Sequence, residues 1–247
     1  MSMMASQELP TKPSQSDAIK RRYPSSLRKI GRVAQSLYLQ RIKGYDVPDM
    51  PHFDSESTPY FIQKLSAATL YLEYGAGGSS ILASKMGKNF VSVDSDSYFI
   101  ASVKAKITRL EPTPSSGHGL FIHANLGLTE AWGVPVWTRP TKKRLTAWRS
   151  YFTAPWVDNA ERFHPDLILV DGRFRVACAL TSILHVTGNS DWELLVDDYE
   201  GRPHYTIIEQ YANLEKMVGR MAVFTPKKDV DLDALQRSLD AYASDWR

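Results

Sequence analysis

The sequence has a single cysteine, Cys178, so it can form neither an internal disulfide nor a cysteine-based zinc site. It has no run of roughly 18 to 20 apolar residues that could form a membrane helix, and its first residues lack the apolar segment of a signal peptide. A phosphate-binding loop of the G-x-x-x-x-G-K-S/T type and an H-E-x-x-H zinc motif are also absent. We therefore expect a cytoplasmic protein without a membrane span.

The composition favours one well-buried core, because 43% of the 247 residues are hydrophobic and 23% are charged. The net charge of +3 is unevenly placed, since the first 50 residues hold nine Lys and Arg against four Asp and Glu. A basic arm ahead of a near-neutral body is weak evidence for nucleic-acid binding. We therefore do not expect nucleic acid as the partner.

Three segments differ in pattern. Residues 1–24 are rich in Ser, Pro, Lys and Gln without an apolar period, which predicts a flexible arm. Residues 25–58 predict a basic amphipathic helix followed by a Pro-rich linker, and the helix would pack on the main domain or on a second copy in a homo-oligomer. Residues 59–247 predict the main domain, with a substrate-side insertion at about 126–165.

Short apolar runs alternate with helical patterns throughout the main domain. Six runs predict strands, at 70–73, 90–93, 119–123, 167–170, 194–196 and 221–224. Strands rich in Val, Ile and Leu that alternate with helices are typical of a parallel sheet covered on both faces. The prediction is an α/β fold with a doubly wound, mostly parallel sheet of six or seven strands. The pattern at 205–218 predicts a helix.

The segment TLYLEYGAGGSSILASK places an apolar strand directly before a glycine-rich turn that opens a helix. Gly75 and Gly77 permit close approach of a ligand to the backbone. Glu73 lies at the carboxyl end of the strand, where it would repel a pyrophosphate and suit a cationic ligand. Asp94 ends the next strand, where a carboxylate can accept both hydroxyls of a ribose. A ribose and a cation in one ligand indicate S-adenosylmethionine.

The motifs EYGAGGSS, VSVD and DLILVDG, in this order, resemble the class I S-adenosylmethionine-dependent methyltransferases over roughly residues 60–225. The resemblance implies a Rossmann-like fold that binds S-adenosylmethionine. It implies that Glu73 lies near the methionine amino end, that Gly75 and Gly77 pass beneath the cofactor, and that Asp94 holds the ribose. Asn125 falls where this family often has a polar side chain near the adenine.

Some features depart from patterns of that family. Ser79 stands where many members have a third glycine, and the C-terminal region predicts one clear strand in place of an antiparallel pair. DGRF occupies the place after the fourth strand where amino-methylating DNA and glutamine methyltransferases have an Asn-Pro-Pro-aromatic segment. We therefore expect O-methylation of a small-molecule or saccharide-like acceptor.

Carboxylates follow the fourth and fifth predicted strands, at Asp171, Asp197 and Asp198. Clustered carboxylates repel one another unless they are protonated or bind a cation, so they could hold Mg²⁺ or another divalent ion. This arrangement resembles the metal-dependent catechol and caffeoyl-coenzyme A O-methyltransferases. Without a metal, Asp171 or His204 would act as the general base. Arg173 would neutralise the aspartates or bind an anionic group of the acceptor.

Other interpretations stay open at this point. A strand, a glycine turn, a helix and Asp94 would also serve an NAD-dependent oxidoreductase, although Glu73 argues against it. A non-catalytic module of the same fold would bind RNA or an anionic partner through the arm and the basic patch at 142–149. The insertion is rich in tryptophan, which indicates either a substrate pocket or core packing.

Overall fold

The computed structural model describes residues 25–110, 117–157 and 163–247, so the predicted arm at 1–24 lies outside the described residues. Seven strands form one sheet in the order β3-β2-β1-β4-β5-β7-β6. They are β1 (Leu70–Tyr74), β2 (Asn89–Asp94), β3 (Gly119–His123), β4 (Leu167–Val170), β5 (Glu193–Val196), β6 (Asn213–Val218) and β7 (Met221–Thr225). Strands β1 to β5 are parallel, and β7 is antiparallel to β5 and β6. The predicted mostly parallel α/β sheet is confirmed.

Helices cover both faces of this sheet. Helix α1 (Ser25–Tyr38) precedes them in the chain, and the covering helices are α2 (Ser57–Ala67), α3 (Gly78–Lys85), α4 (Ser97–Leu110), α5 (Lys142–Thr153), α6 (Arg175–Val186) and α7 (Leu232–Tyr242). Alternation along β1 divides the core, since Leu72 packs with α5, α6 and α7 while Tyr71 packs with α2. Within the described ranges, no helix is long and apolar enough to cross a membrane.

The C-terminal region corrects the prediction of a helix at 205–218. A 3₁₀ helix occupies Pro203–Gln210, and strand β6 follows it. Strand β6 pairs with β7 across the turn at Gly219. Strand β6 lies at the edge of the sheet and is exposed along most of its length. Its sequence, NLEKMV, therefore lacks the apolar alternation by which a half-buried strand is recognised. The antiparallel pair common to the family is present.

The aromatic residues of the insertion divide into two groups. Trp148 and Trp156 are buried in the core, so the core-packing interpretation holds for them. Trp132 and Trp137 are 78% and 53% exposed. Trp132 has a φ of 63°, a left-handed conformation that is strained for an aromatic residue.

The predicted Pro-rich linker packs closely against the main domain. Val47 is 2% exposed and lies in an apolar cluster with side chains of α3 and α4. The Asp54 carboxylate accepts hydrogen bonds from the backbone N–H groups of Ser57 at 2.8 Å and Arg220 at 3.0 Å. Because Arg220 lies in the β6–β7 turn, Asp54 joins the start of α2 to the far edge of the sheet.

Asp54→Ala is expected to lower the free energy of unfolding at neutral pH by about 1 to 3 kcal/mol, because several donors lose a charged acceptor. Although desolvation raises the pKa of Asp54, hydrogen bonds from Arg220 and Ser57 hold that pKa below its usual range. A lowered pKa stabilises the fold above the ordinary carboxyl pKa of about 4, and this contribution is lost as the pH falls. The difference between variant and wild type should therefore shrink under acid conditions.

Urea denaturation at neutral and acid pH measures this difference. Asp240→Ala removes an exposed carboxylate that pairs with Arg149 at 2.7 Å, and it should change stability by less than about 1 kcal/mol. A destabilisation by Asp54→Ala that is equal at every pH would contradict the electrostatic explanation.

Candidate active site

The glycine-rich turn packs against the turn that follows β4. Gly75 donates its N–H to the Val93 carbonyl of β2 at 2.8 Å and has a φ of 104°. A Cβ atom at Gly75 would lie 2.8 Å from the Gly172 nitrogen and 3.1 Å from the Asp171 carbonyl carbon. Only glycine fits this conformation and this close approach. The backbone of Asp171 therefore lies directly beside the turn.

Glu73 lies beneath the glycine turn, which corrects the prediction that it faces the crevice. Its side chain is fully buried, and its carboxylate accepts hydrogen bonds from Tyr71 Oη at 2.8 Å and from Ser80 Oγ. Ser80 Oγ also accepts the Gly77 N–H at 3.1 Å, which links the carboxylate to the turn. Burial raises the pKa of Glu73, while hydrogen bonds from Ser79 and Ser80 lower it. The period of two along β1 puts Glu73 on the same face as Tyr71.

Asp94 contacts the same turn from the end of β2. Its carboxylate accepts hydrogen bonds from the backbone N–H groups of Ala76 at 3.0 Å and Asp96 at 2.8 Å. Desolvation by burial raises the pKa of Asp94 to about 7, although these hydrogen bonds lower it. Asp96 accepts hydrogen bonds from the Tyr98 and Phe99 N–H groups at 2.9 and 3.1 Å. Asp96 therefore caps the first turn of α4.

Asn125 lies just after β3, at the same edge of the sheet as Asp94. Its side chain is exposed, and its Oδ1 atom accepts the N–H of Gly127 at 2.9 Å. This local turn holds the amide at the surface of the loop.

The predicted aspartates meet at the ends of β4 and β5, where arginines neutralise them. The three guanidinium groups that pair with these carboxylates belong to Arg175, Arg202 and Arg220. Arg175 lies 3.0 Å from Asp171 Oδ1 and 3.4 Å from Asp198 Oδ2. Arg220 lies 3.2 Å from Asp197 Oδ1 and 2.8 Å from Asp198 Oδ1. Arg220 is not among the site residues predicted from the sequence, because the hairpin that carries it has no recognisable sequence pattern.

This donor set does not fit the predicted divalent metal site. Carboxylate oxygens of Asp171, Asp197 and Asp198 are paired with guanidiniums, which compete with a hard cation for them. In the described part of the chain, no group of three or more His, Cys, Asp or Glu side chains is arranged to hold a metal ion. The predicted Mg²⁺ site at these residues is therefore not supported by their arrangement.

The Asp171 carboxyl has an unusual proton affinity. Desolvation raises its pKa to about 7, with Asp197 and Asp198 also raising it, while the Arg175 charge lowers it. About a third of the side chain is exposed, at 33%. Asp171 is thus partly accessible to solvent and can exchange a proton near neutral pH.

Arg173 and His204 carry buried nitrogens without partners. Among the described residues, Arg173 Nε and His204 Nε2 have no hydrogen-bond partner. Burial lowers the pKa of Arg173, and the nearby Arg175 charge lowers it further. His204 packs edge-on against Tyr205, with ring centroids 4.6 Å apart. The expectation that Arg173 neutralises an aspartate is not met, because Arg175 takes that position.

Cys178 is fully buried in α6. Burial raises the pKa of its thiol well above the usual value, so the reactive thiolate is disfavoured.

The fold resembles solved methyltransferase structures. A methyltransferase-like protein from Silicibacter pomeroyi is 30% identical, with a TM-score of 0.63 over 78% of this chain and 98% of that chain. A TehB-like S-adenosylmethionine-dependent methyltransferase from Corynebacterium glutamicum is 14% identical, with a TM-score of 0.40 over 82% and 100% of the two chains. Magnesium protoporphyrin IX methyltransferase from Synechocystis is 10% identical, with a TM-score of 0.40 over 88% and 100%. The sequence matches no family model and no curated protein.

The sheet order, the antiparallel last pair and the glycine turn define a Rossmann-like methyltransferase fold. The similarity to the Silicibacter protein extends over almost all of that chain at 30% identity. This chain therefore belongs to the class I S-adenosylmethionine-dependent methyltransferases, and the predicted family is confirmed.

Proposed function

We propose that this chain transfers the methyl group of S-adenosylmethionine to an oxygen of a small-molecule or saccharide-like acceptor, with Asp171 as the general base. The observation that carries this proposal is the placement of Asp171, whose backbone abuts Gly75 in the glycine turn. Its carboxyl has a pKa of about 7. A general base is most effective when its pKa lies near the working pH.

The cofactor would lie along the carboxyl edge of β1 and β2. Gly75 and Gly77 would pass beneath it, Asp94 would accept the ribose hydroxyls, and Asn125 would lie near the adenine. When bound, the cofactor supplies an electrophilic methyl group. Glu73 is enclosed below the turn, so its proposed role is to position the turn through Ser80.

Asp171 would remove the hydroxyl proton of the acceptor, whose oxygen would take the methyl group that S-adenosylmethionine supplies, with S-adenosylhomocysteine as the second product. Arg175 holds one oxygen of this carboxylate at 3.0 Å and so fixes its direction. The proton would then pass from Asp171 to water. Positioning of the nucleophile and removal of its proton are the main contributions that the protein makes to such a displacement.

His204 is the second candidate for the base, because its Nε2 atom is buried without a hydrogen-bond partner in the described residues. A neutral imidazole can accept the proton of an acceptor hydroxyl. Separate substitution of His204 and of Asp171 distinguishes the two candidates. The residue whose variant loses the dependence of kcat on pH is the base.

A labelled-methyl screen tests the proposed reaction. The protein is incubated with S-adenosylmethionine labelled in its methyl group and with pools of hydroxy acids, phenols, sugars and amines. We expect a labelled methyl ether or ester from a hydroxylated acceptor. Label that appears only on nitrogen would contradict oxygen as the acceptor atom.

The affinity for S-adenosylhomocysteine is expected to rise with pH through about 7. Ribose hydroxyls donate to an ionised carboxylate, and the Asp94 carboxyl with its pKa of about 7 is largely protonated below that pH. Asp94→Asn should weaken binding by about 10- to 100-fold near pH 8, because hydrogen bonds to a charged acceptor are lost. The variant should also show a flatter pH profile.

Calorimetric titration across this pH range measures both effects. Asp191→Asn serves as the matched control, because Asp191 is exposed and precedes β5 at the opposite edge of the sheet. If the affinity of the Asp94 variant depends on pH as that of wild type does, then Asp94 does not bind the ribose.

A further inference from the structure

We propose that the methyl acceptor carries an oxyanion, a carboxylate or a phosphate, and that Arg173 binds this group. The inference rests on the proposed methyl transfer and specifies the class of acceptor. It makes Arg173 a binding residue of the acceptor site, whereas Asp171 performs the proton transfer.

Charge balance at the strand ends supports this assignment. The neighbouring guanidiniums are each engaged, Arg175 with Asp171 and Asp198, Arg202 with Asp198, and Arg220 with Asp197 and Asp198. No ion pair within the described ranges includes Arg173. Three carboxylates therefore face four guanidiniums, and Arg173 carries the positive charge in excess.

Arg173 is also short of hydrogen-bond acceptors. Its Nε atom is enclosed, and no described residue accepts a hydrogen bond from it. A cation in such surroundings is costly unless it is paired, and unsatisfied buried polar groups are rare outside functional sites. A carboxylate or phosphate would supply two acceptor oxygens to the planar guanidinium fork.

Arg173 borders the same crevice as the proposed base and ribose site. It lies two residues after Asp171 in the turn between β4 and α6. A Cβ atom at Gly133 would lie 3.6 Å from Arg173 Cγ and 2.7 Å from Ser95 Oγ, so the loop after β3 covers both. Ser95 directly follows Asp94. An anionic group on Arg173 would therefore hold an acceptor between the cofactor site and Asp171.

The start of α6 adds to the attraction for an anion. Phe174 precedes this 12-residue helix and provides no side-chain cap for its first N–H groups. The N-terminus of a helix carries a partial positive charge and free donors. Arg173, one residue before Phe174, lies at this end of the helix.

Titration of the protein saturated with S-adenosylhomocysteine tests the inference. The probes are inorganic phosphate, 3-hydroxybenzoate and its neutral counterpart 3-hydroxybenzyl alcohol. Wild type should bind at least one oxyanion more tightly than the alcohol, and the oxyanion preferred identifies phosphate or carboxylate as the group. Arg173→Met should weaken that binding by about 10- to 100-fold, and Arg173→Lys should weaken it less.

Arg149→Met is the matched control, because it removes an exposed arginine of α5 that pairs with Asp240. We expect this variant to bind the oxyanion as wild type does. With the acceptor found in the labelled-methyl screen, Arg173→Met should raise KM while kcat changes little. Absence of oxyanion binding in wild type would overturn the inference, and so would equal losses of binding in Arg173→Met and Arg149→Met.

The cofactor itself contains a carboxylate that Arg173 could bind, so the effect of Arg173→Met on cofactor binding is measured separately. If Arg173→Met weakens S-adenosylhomocysteine but not 5′-methylthioadenosine, which lacks the amino-acid portion, then Arg173 binds the cofactor and the inference is overturned. If wild type does not bind S-adenosylhomocysteine, the proposed methyl transfer fails instead.

Discussion

Asp171→Asn is expected to lower kcat for methyl transfer by about 10²- to 10⁴-fold, the usual contribution of a general base. Asparagine keeps the size of the side chain and an oxygen that can accept the hydrogen bond from Arg175 Nη2, which spans 3.0 Å in the structure. It cannot accept the proton of the acceptor hydroxyl. The Kd for S-adenosylhomocysteine should change by less than about threefold, because the proposed cofactor contacts lie at the ends of β1, β2 and β3 and do not include the Asp171 carboxyl.

The pH dependence of kcat identifies the base. Desolvation raises the pKa of Asp171 to about 7, and the base must be ionised to act. In wild type, kcat should therefore rise with pH through about 7 and then level off, and this rise should be absent in the variant. Asp240→Asn, on the exposed face of α7, should behave as wild type. If His204→Gln loses the rise while Asp171→Asn retains it, then His204 is the base.

Gly75→Ala is expected to abolish measurable binding of S-adenosylhomocysteine and to lower the free energy of unfolding by at least about 2 kcal/mol. Gly75 has a φ of 104°, which is strained for alanine. The added methyl group would also lie 2.8 Å from the Gly172 nitrogen. The turn would have to move away from the end of β4, and this movement would displace the backbone of the proposed cofactor site.

Gly188→Ala separates these two effects. Gly188 lies between α6 and β5 with a φ of 99°, and nothing lies within 4 Å of a Cβ atom built there. This variant shares the backbone strain but not the overlap, so it should destabilise the protein less and bind S-adenosylhomocysteine normally. Denaturation and calorimetry compare the two variants. Equal losses of stability in Gly75→Ala and Gly188→Ala, or normal binding of S-adenosylhomocysteine by Gly75→Ala, would show that the close approach of Gly75 to Gly172 does not matter.

The parallel part of the sheet could be predicted from the sequence because its strands are buried runs of Val, Ile and Leu bounded by turns. Strand β6 could not be predicted in this way. It is an exposed edge strand, and its pairing with β7 is determined by the neighbouring chain instead of by its own apolar pattern. The family resemblance itself, which includes an antiparallel pair, was the available signal for this strand.

The unrecognised β6 also hid one of the arginines that pair with the predicted metal ligands. Carboxylates counted along the sequence at Asp171, Asp197 and Asp198 indicated a cation, but the β6–β7 turn brings Arg220 to within 3.2 Å of Asp197. The position of Glu73 could have been predicted. Alternation from Tyr71 assigns it to the α2 face of β1, where the Ser80 hydroxyl binds it.

The central claim is that the crevice at the carboxyl edge of the sheet binds S-adenosylmethionine through Asp94. Calorimetric titration of wild type and Asp94→Ala with S-adenosylhomocysteine tests it most directly, with NADH as the competing ligand and with Mg²⁺ present or absent. We predict micromolar binding that is independent of Mg²⁺, is lost in Asp94→Ala and is not shown by NADH. Binding of NADH without binding of S-adenosylhomocysteine would contradict the account.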